Sequence, residues 1–366
     1  MFEKRVKKIK NFLKENSSGG FLISNFYNIL YLSGLKTLTK NEREAWLLIT
    51  NKDNYLFTDG RYLTNFQTNH NSSFLTFKLI TPEKGLIFHL KEIAKNEKIK
   101  KLAVEGDDLK VNEFNSLKQV LTEIEIVLTN KIIINQRSTK DNQEIEKIKK
   151  ACQITDSCLK EVVKTIKPGQ TEKEIAYKIE FWLKEKGYDL AFYPIVAIDK
   201  NSTIPHYDTR VNGLEKVKKQ SVILIDFGAK YQDYLSDITR MVFVGRPISQ
   251  QINIYNKLLS IQKKTLNFSQ KNFLGKDLAF YCRQLYQKEG LPQCPHSIGH
   301  GVGLEIHEYP KVNSLSEEKI INNQVFTVEP GVYLENLWGI RIEDTVLFKN
   351  KIIPLTKYPK SLYHLI

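Results

Sequence analysis

The sequence predicts two domains, an α/β domain at the N-terminus and a strand-rich α+β domain at the C-terminus. Short apolar segments alternate with helical stretches over about the first 130 residues, as in an α/β layer structure. A polar stretch at residues 135–142 then precedes a long periodic helix, as expected at a domain boundary. From Gly187 onward strands dominate. We therefore predict domains at residues 1–134 and 135–366.

The N-terminal elements follow from hydrophobic periodicity. Val6, Ile9, Phe12 and Leu13 fall on one face of a first amphipathic helix. Strands are predicted at residues 21–24, 45–49, 55–58, 74–80 and 102–104, and helices at residues 85–94 and 111–121. The alternation of the two kinds of segment places this domain in the α/β class.

The C-terminal domain opens with two helices and continues mainly as strands. The second helix begins at a capping box formed by Thr171 and Glu174 and ends at Gly187. Two later helices are predicted near residues 252–269 and 276–288, and SVILIDFGAKYQDYLSDITRMVFVG reads as a β-hairpin. The first helix is predicted from apolar residues that share one side: Ile145, Ile148, Cys152, Leu159 and Val162.

Composition and charge exclude several classes of protein. The net charge is +14, but only nine of the 55 basic residues are arginine, and the lysines form no stripe with interleaved aromatic residues. This pattern predicts a solvated lysine-rich surface and no nucleic-acid site. The four cysteines show no CxxC spacing, so neither a zinc ribbon nor a disulfide framework is indicated. The sequence contains neither a secretory signal nor a run of about 18 apolar residues, and we expect a cytoplasmic protein with no membrane partner.

Two acidic residues lie inside the apolar strands of the hairpin. If a two-residue loop lies near Tyr231 and Gln232, Asp226 faces Asp237 directly at about 5 Å. Like charges at that separation are destabilising unless they share a proton or a cation. One aspartate could instead cap a turn while the other points to solvent, but aspartate is disfavoured within strands. The hairpin therefore predicts a paired-carboxylate site.

Two more acidic residues occur in strand contexts further along the chain. Glu329 lies within VFTVEPG and Glu343 within GIRIEDTVLF. Period-two alternation places Arg341, Glu343 and Thr345 on one face, so Glu343 is predicted to point inward with a cation beside it. Each of these acids alone would be read as a paired surface residue, whereas four together indicate a functional cluster.

Histidines are concentrated beside these acids. His296, His300 and His307 fall within PHSIGHGVGLEIHEYP, and His206 lies in the extended or turn segment NSTIPHYDT. A single histidine would more often have a structural role. This density next to acid-bearing strands instead predicts a metal site or a proton-transfer site.

Taken in order, these motifs resemble the pita-bread metallopeptidase family. The motifs are NSTIPH, IDFGAKYQDYLSDITR, PHSIGHGVGLEIHE, TVEPGVY and GIRIEDT, and the resemblance spans about residues 137–366. Within the family, the chain is most similar to the Xaa-Pro aminopeptidases (aminopeptidase P) and Xaa-Pro dipeptidases (prolidases). NILYLSGL and LFTDGRY are similar to a creatinase-type N-terminal domain. The resemblance implies a creatinase-like domain with ribonuclease-H-like layers, followed by a pita-bread catalytic domain.

The resemblance also implies a centre of two divalent metal ions. In the family pattern Asp226 holds one ion, His300 and Glu329 mainly hold the other, and Asp237 and Glu343 bridge both. Four carboxylates balance the charge of two divalent cations. A set of one histidine and four carboxylates suits Mn²⁺ better than a thiolate-type zinc site would, with Co²⁺ or Zn²⁺ as alternatives.

The catalytic roles that the resemblance implies concern residues around this centre. The resemblance implies that a metal-bridged hydroxide would attack the scissile carbonyl and that Glu329 would be the general base. His296 and His307 would polarise the carbonyl and hold the substrate backbone, and His206 would lie at the leaving-group side. Arg341 resembles either a residue behind the ligands or a contact for the substrate carboxylate. Tyr333 is either a hydrogen-bond donor in the pocket or a core aromatic residue.

The function that these roles predict is an Xaa-Pro aminopeptidase, a metallo-exopeptidase and hydrolase. Its substrates would be peptides with a free N-terminus and proline at the second position. The alternative is an Xaa-Pro dipeptidase, which differs in whether a residue after proline fits. A more remote alternative is an inactive pita-bread module that binds protein or nucleic acid, but such modules typically lose metal ligands and this chain keeps all five. The resemblance also implies a homodimer.

Overall fold

The computed structural model describes residues 2–62, 74–270, 272–361 and the backbone of residues 364–365. The chain divides into two compact units, Met1–Arg137 and Ser138–Ile366, whereas the sequence predicts the boundary after residue 134. In the described part of the chain, no helix is both long enough and apolar enough to cross a membrane.

The first unit is built around a mixed sheet. Among the described residues, six strands are arranged in the order β4-β3-β2-β1-β5-β6. Strands β3 and β4 are parallel, as are β1, β5 and β6, whereas β1, β2 and β3 pair antiparallel. The elements are α1 (Phe2–Glu15), β1 (Gly20–Ile23), α2 (Phe26–Ser33), β2 (Ala45–Thr50), β3 (Asn54–Thr58), β4 (Thr76–Leu79), α3 (Leu86–Glu97), β5 (Lys101–Glu105), α4 (Val111–Val120), β6 (Glu125–Thr129) and α5 (Ile132–Ser138).

Three elements of the first unit were not predicted from the sequence, namely α2, β6 and α5. Helix α2 is only eight residues long, and six of them are buried, so it has no polar face to reveal a helical period. Its ends are marked by Asn25, which accepts a hydrogen bond from the Asn28 amide, and by Gly34 in a left-handed conformation. These caps are the signal that could have located it.

The helices of the second unit surround its sheets. The predicted capping box is confirmed, because Thr171 accepts from the Glu174 amide and the Glu174 carboxylate accepts from the Thr171 amide. The helices are α6 (Asn142–Val163), α7 (Glu172–Glu185), α8 (Thr209–Asn212), α9 (Ser249–Leu266) and α10 (Gly275–Glu289), with a 3₁₀ turn at Asp199–Thr203.

The strands of the second unit form two main sheets. One has the order β20-β12-β9-β8 and the other the order β14-β13-β15-β18-β19, and short ribbons β16-β17 and β11-β10-β7 complete the described strands. The strands are β7 (Asp189–Leu190), β8 (Ile195–Ile198), β9 (Ser221–Phe227), β10 (Ala229–Tyr231), β11 (Tyr234–Leu235), β12 (Ile238–Val244), β13 (Gly299–Gly301), β14 (Glu308–Val312), β15 (Gln324–Val328), β16 (Gly331–Leu334), β17 (Trp338–Arg341), β18 (Asp344–Phe348), β19 (Ile352–Pro354) and β20 (His364–Leu365).

Two apolar clusters hold these sheets in place. One packs α9 and α10 against the sheets through Tyr255, Phe273 and Phe326, and the other packs α6 and α7 against β8, β9 and β12 through Leu159 and Ile179. The burial of both sheet faces supports the strands from which the acidic and histidine residues project.

Candidate active site

The hairpin of β9 and β12 places two aspartates on one face. Its turn residues, Gln232 and Asp233, have φ angles of 46° and 69°, as a type I′ turn requires at both central positions. The turn thus lies one residue further along the chain than predicted, and Asp226 pairs with Thr239. The predicted direct pairing of Asp226 with Asp237 is therefore wrong. Asp237 lies two residues before Thr239, the actual partner of Asp226. Because residues two apart in a strand point to the same face, the carboxylates of Asp226 and Asp237 lie diagonally on the same side.

The segment that carries Glu343 changes sheets. The alternation predicts one continuous strand here, but β17 ends at Arg341 and pairs with β16, while β18 begins at Asp344 and pairs with β15. Glu343 lies in the break, and its amide donates to the Thr239 carbonyl at 3.2 Å. Its exposure of 2% confirms the predicted inward orientation. The neighbouring Arg341 binds the Asp226 carboxylate.

His300 and Glu329 come from adjacent strands of the other sheet. His300 lies in β13 and its amide donates to Thr327 Oγ1 at 3.1 Å, while the Glu329 amide donates to the Ile298 carbonyl at 2.8 Å. His300 Nε2 lies 3.6 Å from Asp237 Oδ2 and 3.5 Å from Glu329 Oε1. The imidazole thus lies between carboxylates of the two sheets.

The predicted ligands converge on one place. Asp237, His300 and Glu343 each offer a ligand atom, and these atoms lie within 4.8 Å of one another. Glu329 joins through its contact with His300, and the Asp226 carboxylate is close enough to raise the pKa of Asp237, of Glu343 and of Glu329. All five residues therefore contribute to one electrostatic cluster.

This cluster has the properties of a cation site. Asp226 Oδ1 and Asp237 Oδ1 are buried and have no hydrogen-bond partner among the described residues. Burial, together with neighbouring carboxylates, raises the pKa of Asp237 and of Glu343 well above their ordinary values, and burial and Asp226 raise the pKa of Glu329 to about 7. Buried like charges are costly unless a cation neutralises them. Carboxylate oxygens and one imidazole therefore fit hard divalent cations.

Arg341 is buried behind this cluster, with an exposure of only 3%. Its Nη2 binds the Asp226 carboxylate, and its Nε donates to Thr239 Oγ1 at 3.0 Å. Its Nη1 donates to the Tyr333 hydroxyl at 3.0 Å and to the Pro205 carbonyl at 3.1 Å. Every nitrogen of the guanidinium is thus engaged inside the protein.

His296 lies between the cluster and Tyr333. Its Nδ1 is 2.7 Å from the Ser297 carbonyl oxygen, which can only accept, so Nδ1 carries the hydrogen. Its Nε2 is 2.8 Å from the Tyr333 hydroxyl and therefore accepts from it when the ring is neutral. Burial, and then Arg341, lowers the pKa of His296 to about 4, which keeps the ring neutral at pH 7. Both ring nitrogens are engaged within the protein.

His307 and His206 are the exposed histidines of the site. The His307 ring packs edge to face on the His300 ring with centroids 4.3 Å apart. Burial, and next the neighbouring His206, lowers the pKa of His307, so His206 lies close to His307. The structure therefore brings both exposed imidazoles to the ligand cluster.

Three threonines contact the cluster and were given no role from the sequence. Thr239 Oγ1 donates to Glu343 Oε2 at 2.6 Å, Thr327 Oγ1 donates to Glu329 Oε1 at 3.2 Å, and Thr345 Oγ1 accepts from the Asp237 amide at 3.0 Å. Each threonine is two residues from an acidic residue of the cluster, but threonine is too common in strands for this spacing to have identified them.

Known proteins resemble this chain along nearly its whole length. The model of metallopeptidase family M24 matches residues 146–350, and that of the creatinase/prolidase N-terminal domain matches residues 5–139. The Xaa-Pro dipeptidase of Pyrococcus horikoshii is 32% identical over 365 residues, 99% of each chain. The solved Xaa-Pro dipeptidase from Bacillus anthracis has a TM-score of 0.90 with 27% identity over all of both chains. The X-Pro aminopeptidase from Thermotoga maritima has a TM-score of 0.87 with 30% identity, covering 98% of this chain and 99% of that one. These matches confirm a creatinase-like N-terminal domain followed by a pita-bread catalytic domain.

Proposed function

The chain belongs to metallopeptidase family M24, and from that premise we propose that it is an Xaa-Pro dipeptidase, which hydrolyses the bond between the two residues of a dipeptide ending in proline. The observation that carries the metal-dependent part of the proposal is the cluster of four carboxylates and His300, in which two buried oxygens have no hydrogen-bond partner among the described residues. The sequence alone favours an aminopeptidase. The names of the relatives from P. horikoshii and B. anthracis support the alternative, which we adopt.

The proposed cofactors are two divalent cations, with Mn²⁺ as the ion that the donor set suits best. Asp226 would hold one ion, His300 and Glu329 the other, and Asp237 and Glu343 would be shared. When bound, such cations supply Lewis acidity, which polarises a carbonyl oxygen and lowers the pKa of water.

The protein's own groups would orient the substrate and move the proton. Glu329 Oε1 accepts from Thr327 and lies against His300, so we assign proton transfer to Glu329 Oε2. This oxygen would take the proton of the attacking water and return it to the proline nitrogen. Exposed His307 would donate to the carbonyl oxygen as negative charge develops on it, and exposed His206 would contact the leaving side.

Two further residues are assigned supporting roles. Arg341 would orient Asp226, because its guanidinium nitrogens are engaged by groups of the protein. His296 would fix Tyr333 and border the pocket at Glu329, since its Nδ1 lies 3.8 Å from Glu329 Oε2. These roles place both residues next to the reacting groups rather than on the scissile bond.

An Xaa-Pro aminopeptidase is the second candidate. It is favoured by the similarity to the Thermotoga maritima structure, which bears that name. The two activities share the same ligands and differ in whether the pocket accepts a residue after proline. We retain the homodimer as part of either proposal, to be checked by light scattering on the purified protein.

The test compares three peptides with the purified, Mn²⁺-loaded chain: Leu-Pro, Leu-Pro-Gly and Leu-Ala. We expect release of leucine from Leu-Pro, with kcat/KM for the other two at least about tenfold lower, since each extra or missing group costs more than 1.4 kcal/mol of transition-state binding. Glu343→Gln is expected to abolish turnover, while Glu161→Gln, which alters an exposed carboxylate on α6, should retain it.

The outcomes separate the candidates. Equal or faster cleavage of Leu-Pro-Gly would assign the aminopeptidase. Cleavage of Leu-Ala as fast as Leu-Pro would overturn the selectivity for proline. Absence of turnover for every peptide, with metal bound, would overturn the Xaa-Pro proposal.

A further inference from the structure

Three completely buried threonines recur at one spacing from the acidic residues of the cluster. Thr239 lies two residues after Asp237, Thr345 lies two residues after Glu343, and Thr327 lies two residues before Glu329. Each threonine has an exposure of 0%. Residues two apart in extended chain point to the same side, so each hydroxyl faces the region that its acidic neighbour faces.

The hydrogen of the Thr239 hydroxyl has a fixed direction. Arg341 Nε donates to Thr239 Oγ1 at 3.0 Å, which occupies an acceptor position of the oxygen. The hydroxyl hydrogen is then directed to Glu343 Oε2, 2.6 Å away. Because the same guanidinium binds Asp226 through Nη2, one threonine and one arginine connect Asp226 to Glu343.

Thr345 lies in β18 of the other main sheet and holds Asp237 in a corresponding way. Its Oγ1 accepts from the Asp237 amide at 3.0 Å and donates to the Asp237 carbonyl at 2.7 Å. The Glu343 amide in turn donates to the Thr239 carbonyl at 3.2 Å. The arrangement is reciprocal. Thr239, which follows Asp237, binds Glu343, and Thr345, which follows Glu343, binds Asp237.

Thr327 connects the remaining two ligands. Its Oγ1 accepts from the His300 amide at 3.1 Å and donates to Glu329 Oε1 at 3.2 Å. A side chain at position 299 would place its Cβ 1.9 Å from the Thr327 carbonyl oxygen, so Gly299 is what lets β13 approach this closely.

We propose that Thr239, Thr327 and Thr345 are positioning residues that set the geometry of the metal centre through these hydrogen bonds. The inference rests on the metal centre of the proposed function but does not depend on the substrate. Threonine also favours strands because it is β-branched. Valine shares that preference and the shape but lacks the hydroxyl, so a threonine-to-valine change separates the two explanations.

The experiment measures metal binding by calorimetry and the visible spectrum of the Co²⁺-loaded protein, without any peptide. Each threonine is changed to valine and to serine. We expect the valine variants to bind Mn²⁺ about 10- to 100-fold more weakly and to show altered Co²⁺ absorption, as for other residues that support metal ligands. The serine variants, which keep the hydroxyl, should restore both. Thr265→Val is the matched control, since Thr265 is equally buried in α9, where its hydroxyl donates to the Ile261 carbonyl and contacts the Cys282 thiol.

Wild-type Mn²⁺ affinity and an unchanged Co²⁺ spectrum in the three valine variants would overturn the proposal, as would equal losses in Thr265→Val. If a valine variant does not fold, the serine and alanine variants at that position are compared instead. These differ only by the hydroxyl, and equal metal affinity in the two would likewise overturn it. Two tightly bound ions in wild type without Xaa-Pro cleavage would overturn the substrate assignment and leave this inference standing. A wild type that binds no divalent ions would overturn both.

Discussion

At the scale of single residues, Arg341 is a buried charge whose guanidinium is satisfied by several hydrogen-bond acceptors. Its carboxylate partner Asp226 and its hydroxyl partners Thr239 and Tyr333 satisfy a planar guanidinium, whose fixed fork suits several acceptors at once. Lysine has a single ammonium and could serve only part of this set. We therefore propose that Arg341 acts through Asp226 and not through the substrate.

Replacement of Arg341 by lysine should leave a folded protein with impaired catalysis. We expect kcat to fall by roughly 10- to 100-fold, because a metal ligand loses its support, while KM stays near the wild-type value. Steady-state kinetics on Leu-Pro gives both parameters. Arg283→Lys, on an exposed part of α10, should change neither. A raised KM with unchanged kcat would instead indicate a direct contact with the substrate.

Asp344 is a second buried charge, adjacent to Glu343. Its carboxylate is 0% exposed and binds Arg240, Lys360, Gln262 and the Thr356 hydroxyl. Burial alone would raise the pKa of Asp344, but Arg240 and Lys360 outweigh it and hold that pKa below its ordinary value. Arg240 also donates to the Glu343 carbonyl. Arg240 and Asp344 thus support the backbone of Glu343, a proposed metal ligand.

The lowered pKa of Asp344 determines the direction in which the stability of the fold changes with pH. A carboxyl group whose pKa is lower in the folded state stabilises the fold above its ordinary pKa, and this contribution is lost as the pH falls below about 4. We expect Asp344→Asn to lower the free energy of unfolding by about 3–5 kcal/mol at neutral pH, with a smaller difference in acid. Calorimetric unfolding at several pH values measures this. Asp189→Asn, at a half-exposed ion pair, should have almost no effect. A difference that does not depend on pH would contradict the electrostatic explanation.

At the scale of elements, the hairpin shows what a sequence determines and what it leaves open. The assumed turn predicted the wrong partner for Asp226, yet Asp226 and Asp237 still share one face, because the side-chain period of a strand is two. Which residues pair across the hairpin depends on the position of the turn. Gln232 and Asp233 both have positive φ angles, but neither is a glycine, so the sequence does not indicate the left-handed conformation there. The change of sheet between Arg341 and Asp344 was equally hidden, since alternation continues through it.

The turn offers a direct test of this account. A type I′ turn favours Asn-Gly, so Gln232→Asn combined with Asp233→Gly should raise the free energy of unfolding by about 1 kcal/mol, the cost of left-handed backbone in residues other than glycine. Thermal unfolding measures the gain, and kcat on Leu-Pro should not change. Gln232→Ala keeps the steric cost and serves as the control. A loss of stability in the double variant would mean that the turn residues make contacts that the backbone explanation omits.

At the scale of the whole molecule, the five proposed ligands all belong to residues 138–366, and they were predicted from the order of the motifs rather than from any single one. The sequence could name them because acidic residues and histidines are conspicuous in apolar strands. It could not name the threonines, since a threonine in a strand is ordinary. Only the three-dimensional contacts reveal that their hydroxyls bind ligands.

The same cluster couples stability to metal and to pH. Burial raises the pKa of Asp237 and Glu343, and burial with Asp226 raises the pKa of Glu329 to about 7. Carboxyl groups with raised folded pKa values stabilise the fold fully below their unfolded values near 4. This contribution is lost as the pH rises through their folded pKa values, which for Glu329 means through about 7. Bound cations favour the charged carboxylates and reverse the effect.

Metal removal should therefore destabilise the second unit, and more so in base than in acid. We expect chelation to lower the melting temperature of residues 138–366, by an amount that follows the free-metal concentration and grows as the pH is raised from about 5 to about 8, across the titration of Glu329. Calorimetry with and without chelator measures it, and Glu343→Gln identifies the transition concerned, because removing one buried acid should make the metal-free form less sensitive to pH. Equal melting temperatures of the metal-free protein at both pH values would show that the four carboxylates do not repel one another in the fold, and the electrostatic argument for a two-cation centre would lose its basis.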